Sequence, residues 1–361
     1  MADTEFALND PLAVQRWSTS LAVEAAINQY FAKFIGAGDD ALIKQQNELE
    51  KGAGEKITVG LRMKLSGDGA EGDADIEGTP AEEALTFFND ALFIDQRRKG
   101  TRTKGKMTQQ RVPYNLRKQS RDALAIWFGE DQDQQIMMYL AGARGINSDF
   151  HVADTWTGRA NNTLSAPDSS HTIYGGDATG AADMEAADSI GLVLVERLVA
   201  LAETSDPMML PFMVDGEKKF VLLMHTYQAY QLRTSSSEND WLAIQKAAGV
   251  RGDKNKIYKN ALGEYADVIL HKHRNVIRFD DYGAGANVEA ARALFLGAQA
   301  GMIAYGGVTK KNRYSWNEET DDRGNKLAIT GGCIYGVKKS TYNGKDFGVV
   351  AVDTACSNPN A

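Results

Sequence analysis

Two histidines stand one residue apart in His271-Lys272-His273. On a strand they would point to one side, and with His225 or Asp280 as a third donor they could form part of a metal site. No spacing specifies that third ligand and no His-Glu-x-x-His motif accompanies it, so hydrogen-bonded histidines at a strand end are the simpler reading. Gly283-Ala284-Gly285 ahead of a helix predicted from Val288 has the look of a dinucleotide turn. Val288 occupies the third glycine position and Asp280-Asp281 would repel phosphate, which leaves a helix-entry turn. Asp73, Asp75 and Glu77 with Gly78 space oxygen donors like the start of a calcium loop, yet the twelfth position is Ala84 where a bidentate glutamate is needed. Arg251-Gly252-Asp253 needs nothing beyond a turn to explain it. There is no Gly-x-Ser-x-Gly elbow, phosphate loop or Cys-x-x-Cys. No catalytic residue, cofactor or metal site is assigned, and the weight moves toward a structural protein.

The remaining chemistry is charge. Ser66 to Ala84 carries Asp68, Glu71, Asp73, Asp75, Glu77, Glu82 and Glu83 without a base, and is interrupted by glycines. Such a stretch cannot build its own core. From Arg97 to Arg121 the sign reverses through Arg97, Arg98, Lys99, Arg102, Lys104, Lys106, Arg111, Arg117, Lys118 and Arg121, without an acid. Opposite charges on adjoining segments invite pairing between copies of the chain. A solvated mobile loop is the alternative.

Elements must hold these segments in place. Ile57–Leu65 and Leu85–Ile94 are rich in β-branched or aromatic residues and predict the two arms of a long hairpin with the acidic loop at its tip. Asn115 to Leu140 predicts a long helix, with Asn115 as N-cap, Gly142 as stop and Gly129 as a weak point. A helix is expected over Leu21–Ile35, preceded by an arm with Trp17. The irregular stretch 144–182 reads as a surface excursion between domains. Beyond it an α/β pattern predicts a helix with Ile190, Val193, Leu194, Leu198 and Leu201 on its core face, and a strand Phe220–His225. A helix over Trp241–Ala248, strands 266–271 and 275–279, and a small-residue helix Val288–Tyr305 follow. Leu327–Val352 reads as a hairpin turned at Asn343-Gly344.

With 361 residues, 43% of them hydrophobic and 24% charged, the chain can fill a large core and more than one domain. A formal charge of −8 argues against coating nucleic acid. Cys333 and Cys356 are too few for a disulfide framework. The first residues lack a signal-peptide pattern and no run reaches a membrane span, so synthesis in a cytoplasm without membrane association is expected.

Longer strings carry a resemblance. Arg62-Met63-Lys64-Leu65-Ser66-Gly67-Asp68-Gly69, Glu71-Gly72-Asp73, Glu83-Ala84-Leu85-Thr86-Phe87, Ile94-Asp95-Gln96 and Lys104-Gly105-Lys106-Met107-Thr108 resemble the major capsid proteins of the coliphage N-four type. So do Ala266–Phe279, Leu296-Gly297-Ala298-Gln299-Ala300 and Asn343-Gly344-Lys345-Asp346-Phe347-Gly348. The similarity runs from about Ala22 to Ala355.

The resemblance implies an α+β chain of the Hong Kong 97 capsid fold. It implies an N-terminal arm (1–52), an extended hairpin loop (53–106), a peripheral domain (107–182) with spine helix 115–140, an axial domain (183–310) and return strands of the peripheral domain (311–361). It implies an icosahedral head subunit of a tailed double-stranded DNA phage, assembled in the bacterial cytoplasm and resident in the virion. The partners would be further copies in hexamers and pentamers, possible decoration, scaffolding and portal proteins, and packaged DNA touched weakly. Candidate inter-subunit contacts are Asp68, Glu71, Asp73, Asp75 and Glu77 against Arg97, Arg98, Lys99, Arg102, Lys104, Arg117 and Arg121, joined by Trp17 and Phe31. A cytosolic metal-dependent α/β enzyme and a tail or tube protein are the alternatives.

Overall fold

The computed structural model describes residues 11–50, 53–66, 68–73, 75–78, 81–205, 208–214, 216–236, 241, 261–307 and 313–359. Helix α1 (Pro11–Asn28) begins with proline, which is tolerated at a first helical position because that N–H has no intrahelical partner. It ends before the expected Ile35, because the amides of Tyr30 and Phe31 donate to the carboxylate of Asp133 at 2.6 and 3.0 Å instead of continuing the helix. A 3-10 turn over Phe31–Lys33 then leads into β1 (Ile35–Gly36) and β2 (Ile43–Gln46).

The predicted hairpin forms from β3 (Lys56–Arg62) and β4 (Phe87–Phe93), with Ile57 opposite Leu92. The basic tract does not form one face: it splits into strand β5 (Asp95–Arg102), short helix α2 (Lys106–Arg111) and the start of helix α3 (Leu116–Ala141). The Asn115 side chain caps α3 by accepting from the Lys118 amide at 3.2 Å, and Gly142 ends it in the left-handed region at φ 66°. The helix runs unbroken through Gly129. A Cβ there would lie 3.1 Å from both the Ala25 carbonyl oxygen and the Asn28 Cβ, so glycine lets α1 cross closely.

Onward come β6 (Gly158–Arg159), β7 (Asn162–Thr163), β8 (Thr172–Tyr174), α4 (Leu192–Thr204), β9 (Phe212–Val214), β10 (Glu217–Met224) and α5 (Thr226–Ser235). The chain continues through β11 (Ala261–Tyr265), β12 (Val268–Lys272), β13 (Arg278–Tyr282), β14 (Val288–Leu296), β15 (Gly301–Gly306) and β16 (Tyr314–Asp321). It closes with β17 (Lys326–Lys339), β18 (Thr341–Tyr342), β19 (Lys345–Asp346) and β20 (Val349–Ala355).

Two sheets sit on α3. The first is built on β17, which pairs with β16 and then β15 along one side and with β5 along the other, while β15 continues to β2 and β1. The second follows the path β11-β12-β10-β14-β20-β8, with β13 on β14 and β9 on β10. Apolar residues of α3 such as Phe128, Met137 and Leu140 share one core with Tyr305 and Tyr335 of the first sheet and Val221, Leu223 and Leu294 of the second. On the other face of the second sheet, Phe220, Leu222 and Met224 meet Leu194, Val195 and Leu198 of α4 and Leu232 of α5. Burial on both faces explains why β10 reads as a continuous apolar run.

Several expectations change. The run Val288–Tyr305 is two strands, β14 and β15, and not a helix, because both of its faces are buried in sheets. Strands expected at 266–271 and 275–279 lie at β12 and β13. Val193 is 72% exposed and so off the core face of α4. Leu327–Val352 is no single hairpin: Asn343-Gly344 turns the small β18–β19 pair, while β17 and β20 belong to different sheets. Of the C-terminal strands, β16 and β17 therefore lie in the first sheet and β20 in the second. Trp241–Ala248, apart from Trp241, and Arg251-Gly252-Asp253 lie outside the described residues.

Stretch 144–182 is a bracket and not a loose excursion. Arg144 donates to the carbonyls of Gly145, Asn147 and Val152, Asn162 takes both backbone groups of Phe93, and β8 pairs with β20.

Candidate subunit-contact surface

The hairpin is anchored at its base and bare at its tip. Ile57 and Leu92 pack with Leu49, Met302 and Ala304. Asp90, buried on β4, accepts from the ammonium of Lys338 and from the Thr341 amide. Towards the tip burial ends: Asp68, Glu71, Asp73, Asp75 and Glu77 are all exposed, and among the described residues none of the five forms an ion pair within the chain. Glu83 and Glu82 shape the tip itself, Glu83 accepting from the Ser66 amide at 2.6 Å and Glu82 from the Gly78 amide at 3.1 Å.

The hairpin also carries apolar side chains that sequence reading passed over. Leu65, Ile76, Leu85 and Phe87 are 60%, 58%, 53% and 63% exposed. A two-stranded ribbon is marginal in water unless something packs on it. The signal was present in Leu85 and Phe87, two residues apart in the strand expected from Leu85, but the surrounding acids masked it, and β4 itself begins only at Phe87.

The basic candidates divide. Arg97 points inward, its Nε donating to Asp131 at 2.6 Å, and Asp131 also accepts from the Tyr335 hydroxyl and the Gln135 amide, both at 2.9 Å. Arg102 pairs with Asp321 and Arg117 with Glu318, while Arg121 is held by Asp122 and the Ser20 hydroxyl. Within the subunit all four are already paired with acids of their own chain, although Arg102 and Arg117 remain partly exposed. Lys99 lies 5.3 Å from the Trp127 ring centre, and Arg98 and Lys104 are exposed. Trp17 stacks on Trp316 at 5.7 Å, so it packs on its own subunit. Phe31 has no exposed surface and cannot reach a neighbour from this conformation.

Phe31 instead sits where the N-terminal segment meets α3. Burial pushes Asp133 up to about 7 against the two backbone donors that favour its charged form, with Glu130 adding repulsion. The folded state therefore binds this proton more tightly than the unfolded chain. The contribution is fully present below the ordinary carboxylate range and is lost as pH rises through about 7. Asp133→Asn keeps an acceptor and removes the titration. Its stability relative to the parent, read from urea midpoints at pH 5 and pH 8, is expected to rise with pH; parallel curves would refute the assignment.

The histidines do not converge on a metal. His225 caps α5, its Nδ1 accepting from the Tyr227 amide at 3.2 Å. His271 is fully buried against Phe34 and Tyr30, and His273 lies against Tyr30 while its Nδ1 accepts from the Asn275 amide at 3.1 Å. Burial, then nearby positive charge, pushes His225 and His273 down to about 4, so both are neutral packing groups. Among the described residues no group of His, Cys, Asp and Glu is placed to hold a metal ion. Gly283 and Gly285 lie in the turn between β13 and β14, with no helix after them.

A long helix thus carries two sheets and a separate two-stranded hairpin. The sequence matches the phage capsid protein family over residues 5–358. The chain belongs to the phage capsid protein family. A major capsid protein of Pseudomonas phage KPP25 is 30% identical over 94% of each chain. The capsid protein of Ralstonia phage GP4 superposes with a TM-score of 0.88 at 40% identity, covering all of both chains. That of cyanophage Pam1 shares the fold, with a TM-score of 0.71 at 21% identity over 99% of this chain and 95% of the other. This capsid protein is an α+β chain with the Hong Kong 97-type fold, a major capsid protein of an icosahedral phage head and hence a virion component. Among the described residues no helix is long and apolar enough to cross a membrane.

Proposed function

We propose that this capsid protein joins its neighbours through the β3–β4 ribbon, whose exposed Leu65, Leu85 and Phe87 and acidic tip lie on a second copy near its Arg98, Lys99 and Lys104. The observation that carries this reading is the coexistence of bare apolar and bare acidic side chains at the start of β4 and on the segment that joins β3 to β4. The mechanism differs from pure charge pairing: apolar burial supplies the strength, and the acids set partner and register. In this reading α3 is the spine helix of a peripheral domain, residues 1–52 the arm, 53–106 the extended loop and 183–310 the axial domain. Residues 311–361 supply the return strands of the peripheral domain, with β20 also completing the second sheet. The chain works without catalysis, as hexamers and pentamers, in the N-four-type branch of its family. Decoration, scaffolding and portal proteins are its further partners, and DNA is touched only weakly by an inner face of an acidic subunit.

Reversing three tip acids in Asp68→Lys, Asp73→Lys and Asp75→Lys together tests it. The subunit should keep its melting temperature while assembly, followed by light scattering and electron microscopy, slows by roughly tenfold or more. Added salt should slow the parent and not the variant, because exposed pairs are screened. Shells of parental yield and rate from the variant would sink the proposal.

A further inference from the structure

Among the described residues strand β5 has one strand partner. It pairs with β17 along its length, from Asp95 opposite Tyr335 to Arg102 opposite Ala328. In an antiparallel ladder the N–H groups of alternate residues point to opposite sides. The phase is set by Thr103, whose N–H donates to the Leu327 carbonyl at 2.9 Å. Residues 97, 99 and 101 therefore donate toward β17, and the N–H groups of Arg98, Gly100 and Arg102 point away from it. Gln96 also faces outward, but Asp95 Oδ1 takes its N–H at 2.6 Å. Among the described residues the three outward amides of Arg98, Gly100 and Arg102 have no recorded acceptor, and all three residues are exposed.

We infer that the open edge of β5 receives the acidic hairpin tip of a second copy as an added strand, by main-chain pairing. This rests on the ribbon reading above and names the mode of contact. An open edge is a template for any extended chain, and charge decides which one. A second β5 would set Arg98 and Lys99 against Arg98 and Lys99, and like charges across a ladder oppose pairing. The segment between Arg62 and Phe87 brings Asp68, Glu71, Asp73, Asp75 and Glu77, all exposed, to the same basic row. The basic side chains thus exclude one partner and admit the other, while the backbone supplies bonds that single exposed ion pairs do not.

The phase of the ladder makes a selective test. Arg98→Pro removes an outward donor and leaves the bonds to β17, since proline is tolerated on an edge strand where its missing N–H faced solvent. Arg98→Gln removes the same charge and keeps the donor. Arg98→Pro should assemble at least tenfold more slowly than Arg98→Gln, with both subunits folded by circular dichroism. Equal rates would overturn edge pairing. If Arg98→Pro does not fold, single-residue hydrogen exchange of the parent decides: the amides of Arg98, Gly100 and Arg102 should exchange freely in the subunit and be protected in the shell. Free exchange in both states would overturn the inference. Impaired assembly of the tip-reversed variant beside unimpaired Arg98→Pro would reject edge pairing and leave the ribbon contact standing; parental assembly by both would reject both.

Discussion

Asp353→Ala should destabilise the subunit by about 3–5 kcal/mol, because it strands a buried guanidinium. Asp353 on β20 has no exposed surface. It accepts from Arg292 Nε and Nη2 on β14, both at 2.7 Å, and from the Tyr282 hydroxyl on β13 at 2.8 Å. The fourth arm of the cluster, Arg292 Nη1, donates at 3.0 Å to the carbonyl of Ala141, the last residue of α3. One carboxylate thus neutralises the group that satisfies the end of the helix from the middle of the second sheet. Burial and then the charge of Asp353 raise Tyr282 well above the ordinary phenol range, which keeps it a donor at any working pH. The pair does not have to be a net gain over apolar packing. Arg292→Met with Asp353→Leu should recover most of the loss, since removing both charges leaves neither unpaired. Urea unfolding of tip-reversed, assembly-deficient subunits reads both. A loss below about 1 kcal/mol for Asp353→Ala, or no recovery in the double variant, would show that the cluster is not the sheet's electrostatic centre.

This cluster was invisible in the sequence, where Arg292 on β14 and Asp353 on β20 are separated by three strands of the first sheet and the small β18–β19 pair. What was legible is local. Asn115 and Gly142 bound α3 because a side-chain cap and a left-handed stop act within a few residues. The β3–β4 hairpin was readable from composition, as was the Asn343-Gly344 turn. Misreadings arose where packing decides. Val288–Tyr305 is rich in alanine and leucine, which favour helix, but burial on both faces selects strands over that preference. Phe31 looked available to a neighbour, yet Asp133, more than a hundred residues away, draws the backbone of Tyr30 and Phe31 onto α3. The basic tract showed its sign but not its assignments: Asp131 and Asp321 consume Arg97 and Arg102 only once β5 is in register on β17. The contact surface was therefore readable as a charge pattern and unreadable as a list of free groups.

The same distinction governs the strongest effect expected on assembly. Leu85→Ser with Phe87→Ser should abolish shells at concentrations where the parent forms them, and leave the isolated subunit within about 0.5 kcal/mol of its stability. Both side chains are more than half exposed in the subunit, so little native packing is lost. In the shell their burial on a neighbour is worth about 2–3 kcal/mol together, roughly a hundredfold in affinity per contact. Under the ribbon contact proposed above, each subunit offers one ribbon and accepts one, so the deficit would recur at every junction and raise the concentration needed for closure. Charge reversal at the tip should behave differently, slowing assembly in a salt-dependent way, because exposed charge acts mainly on encounter and register. Sedimentation of both variants across a salt series separates the two roles. Shells from the serine variant at parental concentration would mean that the ribbon's apolar face stays in solvent, and that the neighbour grips the backbone and the acids alone.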